Sequence, residues 1–180
     1  MLPVASDRER LLWRLLLALV LAIYASAYFV EVVMLALRSR GLLGPTVLAM
    51  LIVCAAAALA LAARARPRPA EVALLLAGGV AYVAMVRHLR ILQERIHLIE
   101  YGAVAALAWA ALRERWGPGR GWRQPALGAF LITVAAGWGD ELVQGLLPNR
   151  HYDLRDVATN AIAGALLLAL LEGRARLRAR

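Results

Sequence analysis

Long stretches without charge constrain this chain more than any other feature of its sequence. No charged residue lies between Arg40 and Arg64. A helix that spans lipid needs roughly 20 mostly apolar residues, because the hydrocarbon core of a bilayer is about 30 Å thick. Of the 180 residues, 62% are hydrophobic, whereas an ordinary soluble domain has roughly 45–50%. The sequence therefore predicts an all-α, polytopic membrane bundle and excludes a soluble enzyme or a disordered tail.

Apolar stretches follow one another along the chain and predict about six transmembrane helices in a single integral membrane domain, residues 1–180. The uncharged part of the third stretch is short and contains Gly78 and Gly79. It could continue through residues 87–96, or that segment could lie on the membrane surface as an amphipathic helix. Small residues at 25–27 resemble a signal-peptide cleavage site, but the apolar run continues, so we expect an uncleaved first helix. The predicted spans are 11–37, 42–63, 71–87, 96–112, 126–147 and 156–172.

The basic residues predict an orientation. All 21 are Arg, and with the N-terminus inside, fourteen fall in inner segments and seven in outer ones. Arg residues in short loops favour the cytoplasmic side, so we expect both termini in the cytoplasm and a multi-pass protein of the cytoplasmic membrane. The Arg residues lie between apolar runs rather than on one polar face, so no nucleic-acid partner is expected. Cys54 is the single cysteine, which excludes a disulfide framework.

Polar residues inside or beside the spans gather on the predicted outer side. Ionisable groups are costly in hydrocarbon and usually face a cavity or a partner. Several of these residues recur at intervals of three or four, which places them on one face of a helix. We therefore predict an outward-facing polar cavity. Its candidate ligand-binding residues are His97, Glu100, Tyr101, Asp140, Glu141, Gln144, Arg150, Asp156 and Asn160.

Arg150 is the candidate anion ligand of this group. Its planar guanidinium can pair with a carboxylate or phosphate through two hydrogen bonds. Alternatively, Arg150 pairs with Asp140, Glu141 or Asp153 and holds the loop. Glu31, in the outer part of the first span, is interpreted as a carboxylate near the lipid headgroups.

His97 and Glu100 resemble half of a divalent-metal site, since His and carboxylates together ligate such ions. The alternative is a hydrogen-bonded histidine that ties two helices together. No other cofactor is predicted. Acid–base catalysis is chemically allowed, because one carboxyl group could act as acid and another as base. The candidate catalytic residues are Glu100, Asp140, Glu141 and Asp156.

Four motifs together resemble the VanZ-like family of bacterial membrane proteins, over roughly residues 95–171. They are RIHLIEYG at 95–102, DELVQ at 140–144, PNR at 148–150 and DVATN at 156–160, followed by Gly164. Their order and gaps agree with the family, including the six-residue step from Arg150 to Asp156. The position before the motif Arg is often Gly in the family and is Asn149 here.

The resemblance implies a role in the cell envelope. The namesake of the family is associated with low-level resistance to teicoplanin, a lipoglycopeptide that acts at the outer face of the membrane. We therefore expect membrane lipids as partners, and an outer-leaflet amphiphile or lipid-linked anionic headgroup as ligand, with a lipoglycopeptide as a further candidate. Alternatives are an intramembrane enzyme acting on a lipid-linked substrate and a small transporter or flippase. Scarce polar groups in the inner halves of the spans disfavour the transporter.

Overall fold

The computed structural model describes residues 5–89, 92–117, 123–148 and 150–179, and this part of the chain consists of six α-helices without a strand. Each helix is long and apolar enough to cross a membrane. The prediction of an all-α bundle with six spans is therefore confirmed. Asn149, which differs from the family motif, lies outside the described residues. The helices are α1 (Asp7–Ser39), α2 (Leu43–Arg64), α3 (Pro69–His88), α4 (Leu92–Trp116), α5 (Arg123–Gly145) and α6 (Leu154–Ala179).

Local sequence signals set several helix ends. The hydroxyl of Ser6 accepts a hydrogen bond from the backbone N–H of Glu9 and caps α1. Gly41 follows α1 with a φ of +68°, a left-handed conformation that glycine adopts without steric cost. Pro69 lies in the first turn of α3, where its missing N–H has no partner to lose. These signals fix where α1 begins and ends and where α3 begins.

The third span is a complete helix that ends at His88. It does not continue through residue 96, which was one interpretation of the sequence. Leu89, which follows α3, is extended, with φ −71° and ψ 116°. The next described helix starts at Leu92, so Arg87 and His88 end α3 and residues 92–96 belong to α4. The reason is packing: Ile96 lies against a buried apolar cluster that includes Met34 and Val47. Its apolar face is therefore covered by protein.

Helix α4 is the centre of the bundle. It packs against α6, α5 and α1, and more weakly against α2. Half of its membrane-spanning window is buried, against 11% of the windows in α2 and α3. Ala105, Ala108 and Ala111 are completely buried along it. Small side chains of this kind allow neighbouring helices to approach closely where lipid provides little driving force for packing.

Large apolar side chains cover the outside of the bundle. Val80 is 71% exposed and Leu59 is 69% exposed, and both lie in helices with few neighbours. A soluble monomer rarely exposes apolar patches of this extent. This surface, together with six apolar helices, indicates a multi-pass membrane protein.

The two ends of the bundle differ in how their polar groups are satisfied. At the end that contains Asp7, Trp116 and Ala179, which we call the termini end, three buried carboxylates are each bonded to a basic or indole N–H. These three carboxylates were not predicted from the sequence as buried groups. The pairs are Glu9 with Arg115 at 2.8 Å, Glu71 with Arg174 at 2.9 Å and Arg178 at 3.1 Å, and Glu172 with Trp109.

Candidate ligand-binding site

A small cavity of about 30 Å³ lies at the opposite end of the bundle, which we call the cavity end. Helices α1, α4 and α5 line it, and Arg150, which follows α5, completes it. The first turns of α4 and the last turns of α5 meet here because the two helices are antiparallel neighbours. Residues that are far apart in sequence therefore share one site.

One wall of the cavity is polar, and all its polar residues were predicted from the sequence. Helix α4 contributes two residues to this wall. Helix α5 contributes two more, which are four residues apart and therefore lie on one face of α5. The polar wall consists of His97, Glu100, Asp140, Gln144 and Arg150.

The facing wall comes from α1 and is mostly apolar. Ala27 and Met34 are buried, and Ser26 places one hydroxyl among them, bonded to the carbonyl of Ile23 at 2.8 Å. The sequence analysis did not assign this wall to the site, although the spacing of residues 23, 27, 30 and 34 is that of one helical face. The apolar lining residues are Ile23, Ala27, Val30 and Met34 of α1 and Ile96 of α4.

Three buried side chains meet at the polar wall in a group that could hold a metal ion. His97, Asp140 and Glu141 each offer one ligand atom, and these atoms all lie within 4.8 Å of one another. Nδ1 of His97 is 3.9 Å from Oδ2 of Asp140 and 3.7 Å from Oε2 of Glu100. Both distances exceed those of a hydrogen bond. The pair of His97 and Glu100 that the sequence suggested is present, and the structure adds Asp140 and Glu141 of α5 to His97.

Glu141 is held in place from outside the group. Its Oε2 accepts a hydrogen bond from the backbone N–H of Asp153 at 3.1 Å. Its other oxygen, Oε1, is buried and has no hydrogen-bond partner in the protein. The contact with Asp153 therefore fixes the carboxylate and leaves one oxygen available to a ligand.

Buried polar atoms without a protein partner concentrate at this site. Among the described residues there are eight such atoms, and seven belong to predicted site residues. A buried polar group that lacks a hydrogen bond costs about 1–3 kcal/mol, so native proteins keep such groups few. Their concentration in one place makes this group the candidate ligand-binding site among the described residues. The seven atoms are Nδ1 of His97, both carboxylate oxygens of Asp140, Oε1 of Glu141, Nε of Arg150, and Oδ1 and Nδ2 of Asn160.

Among the described residues, two side chains lack the contacts that would give them a purely structural role. For Arg150 that contact is an ion pair that holds the loop, and for His97 it is a hydrogen bond between two helices. Within the described part of the chain, Arg150 forms no ion pair within 4.0 Å, and Asp153 is paired with Arg155 instead. Nδ1 of His97 has no hydrogen-bond partner, so it does not tie two helices together. Both side chains are therefore available to a ligand. Glu31 is half-buried on α1 and does not line the cavity.

Three other predicted site residues lie behind the cavity rather than in its lining. Tyr101 is completely buried, and its hydroxyl donates to the carbonyl of Ala136 at 3.4 Å. Asn160 is also completely buried and packs against Gly137. A Cβ added to Gly137 would lie 3.0 Å from Cβ of Asn160. Asp156 is half-buried near the start of α6. The structure thus places Tyr101 and Asn160 as support for the polar wall.

No family model, curated protein or solved structure matches the chain. The VanZ-like resemblance over residues 95–171 therefore stays a prediction from its motifs, and the function must be argued from the site.

Proposed function

We propose that this protein binds the anionic headgroup of an amphiphile at the outer face of the membrane. The observation that carries the proposal is the two-sided cavity, in which an apolar wall of α1 faces a polar wall with unpartnered buried atoms. An amphiphile has the same division. Its anionic group would meet Arg150 and Gln144 of the polar wall, and the carbon next to that group would lie against α1, while the rest of the molecule stays in the lipid.

Arg150 is the residue that recognises negative charge in this proposal. It is unpaired among the described acidic residues, and its buried Nε needs an acceptor. Guanidinium groups bind phosphate or carboxylate through paired, charge-assisted hydrogen bonds. Gln144, which lines the same wall, offers an amide that can donate to a headgroup oxygen.

The size of the cavity limits what can enter. About 30 Å³ is room for a few water-sized groups only. A whole lipoglycopeptide does not fit, so only its anionic group could occupy the site. A lipid with a phosphate or carboxylate in its headgroup, whose acyl chains stay in the lipid phase, is the better match. The excess of Arg in the predicted inner segments supports placing the cavity end outside.

Native mass spectrometry with added lipid tests this proposal. Purified protein would be titrated with phosphatidylglycerol and, separately, with diacylglycerol, which carries neither a phosphate nor a carboxylate. We expect preferential binding of phosphatidylglycerol by the wild type and about tenfold or weaker binding by Arg150→Ala, a loss of about 1.4 kcal/mol or more. Arg155→Ala is the matched control, because Arg155 is 87% exposed and outside the cavity. Equal binding of both lipids, or equal loss in the two variants, would contradict the proposal.

A second candidate function is an intramembrane enzyme that acts on a lipid-linked substrate. The grouping of His97, Asp140 and Glu141, with Glu100 beside it, favours this function over a passive binding site. A divalent ion in this group could polarise a substrate oxygen or activate water. Incubation of reconstituted protein with radiolabelled phospholipid would reveal turnover, and an enzyme would lose it completely in Asp140→Asn. A flippase would instead move labelled lipid between leaflets.

A further inference from the structure

We infer that His97, Asp140 and Glu141 bind one divalent transition-metal ion, with Zn²⁺ as the closest chemical match. This inference goes beyond the proposed function, because metal binding does not require an amphiphile. It rests on the position of the three side chains and on the burial of their unpartnered atoms.

The spacing of the ligand atoms suits a metal better than direct hydrogen bonds. Zinc binds His nitrogen and carboxylate oxygen at about 2.0–2.2 Å, so two of its ligands lie about 3–3.5 Å apart. The 3.9 Å between Nδ1 of His97 and Oδ2 of Asp140 is too long for a hydrogen bond and slightly longer than this separation. Small side-chain rotations would bring both atoms into a coordination sphere.

The three side chains are buried deeply enough to need a partner. Asp140 is 1% exposed, Glu141 is 0% exposed and His97 is 9% exposed. Each of them has at least one buried atom without a hydrogen bond in the protein, and these atoms are the ones that can coordinate. An acidic cluster on a surface would be solvated by water, whereas these groups are enclosed by helices.

The charge of the group also favours a dication. Asp140 and Glu141 are adjacent in α5, and among the described residues no Arg forms an ion pair with either. A divalent ion would offset the charge of these two carboxylates and lower the cost of burying them together, and Glu100, 3.7 Å from His97, is a third acidic group beside the ion. The buried carboxylates of the termini end are neutralised differently, as Glu71 shows with Arg174 and Arg178.

The donor set narrows the choice of metal. Imidazole nitrogen with carboxylate oxygen suits Zn²⁺ and its transition-metal neighbours, whereas Mg²⁺ and Ca²⁺ prefer oxygen ligands alone. The hydrogen bond from Asp153 to Glu141 is a supporting contact of the kind that orients metal ligands. Three protein ligands leave a coordination position open, as in catalytic zinc sites. The cavity that His97 and Asp140 line would give that position access to small molecules.

Titration of the purified full-length protein with Co²⁺ and then Zn²⁺ tests the inference. Protein stripped with a chelator would be titrated with Co²⁺ while ligand-field absorption is recorded, and Zn²⁺ would then displace the bound ion. We expect one ion per chain. Asp140→Asn and Glu141→Gln should weaken binding by about 100-fold or more, because even residues that only support a ligand cost about 10–100-fold.

Glu31→Gln is the matched control, since it removes a half-buried carboxylate from α1 outside the group. It should bind Co²⁺ like the wild type. Size-exclusion profiles and metal-free melting temperatures would verify that each variant folds. A wild type that binds no Co²⁺, or an Asp140→Asn variant that folds and binds it normally, would overturn the inference.

The metal inference and the amphiphile proposal can be contradicted separately. Loss of metal binding in Asp140→Asn with lipid binding retained would support the ion and leave the amphiphile proposal intact. A wild type that binds phosphatidylglycerol through Arg150 but never binds Co²⁺ would show that the three side chains hold no metal. That result would overturn the metal inference alone.

Discussion

Nδ1 of His97 lies 3.9 Å from Oδ2 of Asp140 on the neighbouring helix, and neither atom has a hydrogen-bond partner in the protein. Packing of α4 on α5 creates this relationship, because it brings the first turns of one helix beside the last turns of the other. A stable bundle would ordinarily satisfy such groups, as the termini end does with Glu9 and Arg115. This contrast between the two ends supports the proposal that a ligand binds at the cavity end.

Blocking the apolar wall should impair lipid binding without unfolding the bundle. Ser26 lines the cavity from α1, is exposed, and can take a larger side chain without filling the core. We expect Ser26→Trp to weaken phosphatidylglycerol binding by about tenfold, or about 1.4 kcal/mol. Ala25→Trp, on an exposed neighbouring position that does not line the cavity, should bind normally in the same native mass spectrometry titration. If both variants bind like the wild type, α1 does not contact the ligand.

Tyr101 should matter for stability and not for ligand affinity. Its hydroxyl is buried, interacts with the carboxylate of Asp140 and donates to Ala136 in α5, and Tyr101 itself does not line the cavity. Tyr101→Phe removes a 3.4 Å hydrogen bond, and we expect a loss of about 0.5–1.5 kcal/mol or less in unfolding free energy. Phosphatidylglycerol affinity should stay within about twofold, well below the tenfold that 1.4 kcal/mol represents. A large affinity loss at unchanged melting temperature would place Tyr101 in the binding site after all.

Gly164 should be intolerant of a methyl group because α6 approaches α5 there. An added Cβ would lie 2.8 Å from Cγ2 of Thr133, a buried and stiff β-branched side chain. Overpacking of this kind costs about 1–3 kcal/mol, whereas Ala in place of Gly favours a helix by about 1 kcal/mol. We expect Gly164→Ala to melt below Gly79→Ala in detergent. Gly79 is the control, since its added Cβ meets nothing within 4 Å.

Cysteine accessibility should place the cavity end outside the cell. In a Cys54→Ala background, a cysteine at Leu146, which is 86% exposed beyond α5, should react with a membrane-impermeant maleimide on whole cells. A cysteine at Arg64, exposed at the termini end, should react only after permeabilisation. The physical reason is the excess of Arg in the segments of the termini end. The reverse pattern would put the cavity in the cytoplasm.

The sequence was sufficient to predict the helices and the polar wall. Charge-free runs identify spans whatever their neighbours, and polar residues such as His97 and Gln144 stand out because lipid excludes them. Five of the nine candidate residues line the cavity, and all five belong to the polar wall.

The sequence could not predict which residues from different helices meet. Helical spacing shows only neighbours on one helix, so the sequence paired His97 with Glu100, which the structure has at 3.7 Å, but could not add Asp140 of the neighbouring helix. The wall of α1 was missed for a related reason, since an apolar residue such as Met34 looks the same in sequence whether it faces lipid or a cavity. Glu71 was missed because a carboxylate near a span end ordinarily lies among headgroups, whereas here α6 covers it with Arg174.

The most direct test of the central claim is native mass spectrometry of the protein as purified from cell membranes, with no lipid added. If the cavity binds an anionic amphiphile, wild type and Arg155→Ala should each retain a stoichiometric adduct with the mass of a phosphate- or carboxylate-bearing lipid. Arg150→Ala should lose that adduct. A wild type that carries no such adduct, or an Arg150→Ala variant that carries the same one, would contradict the account.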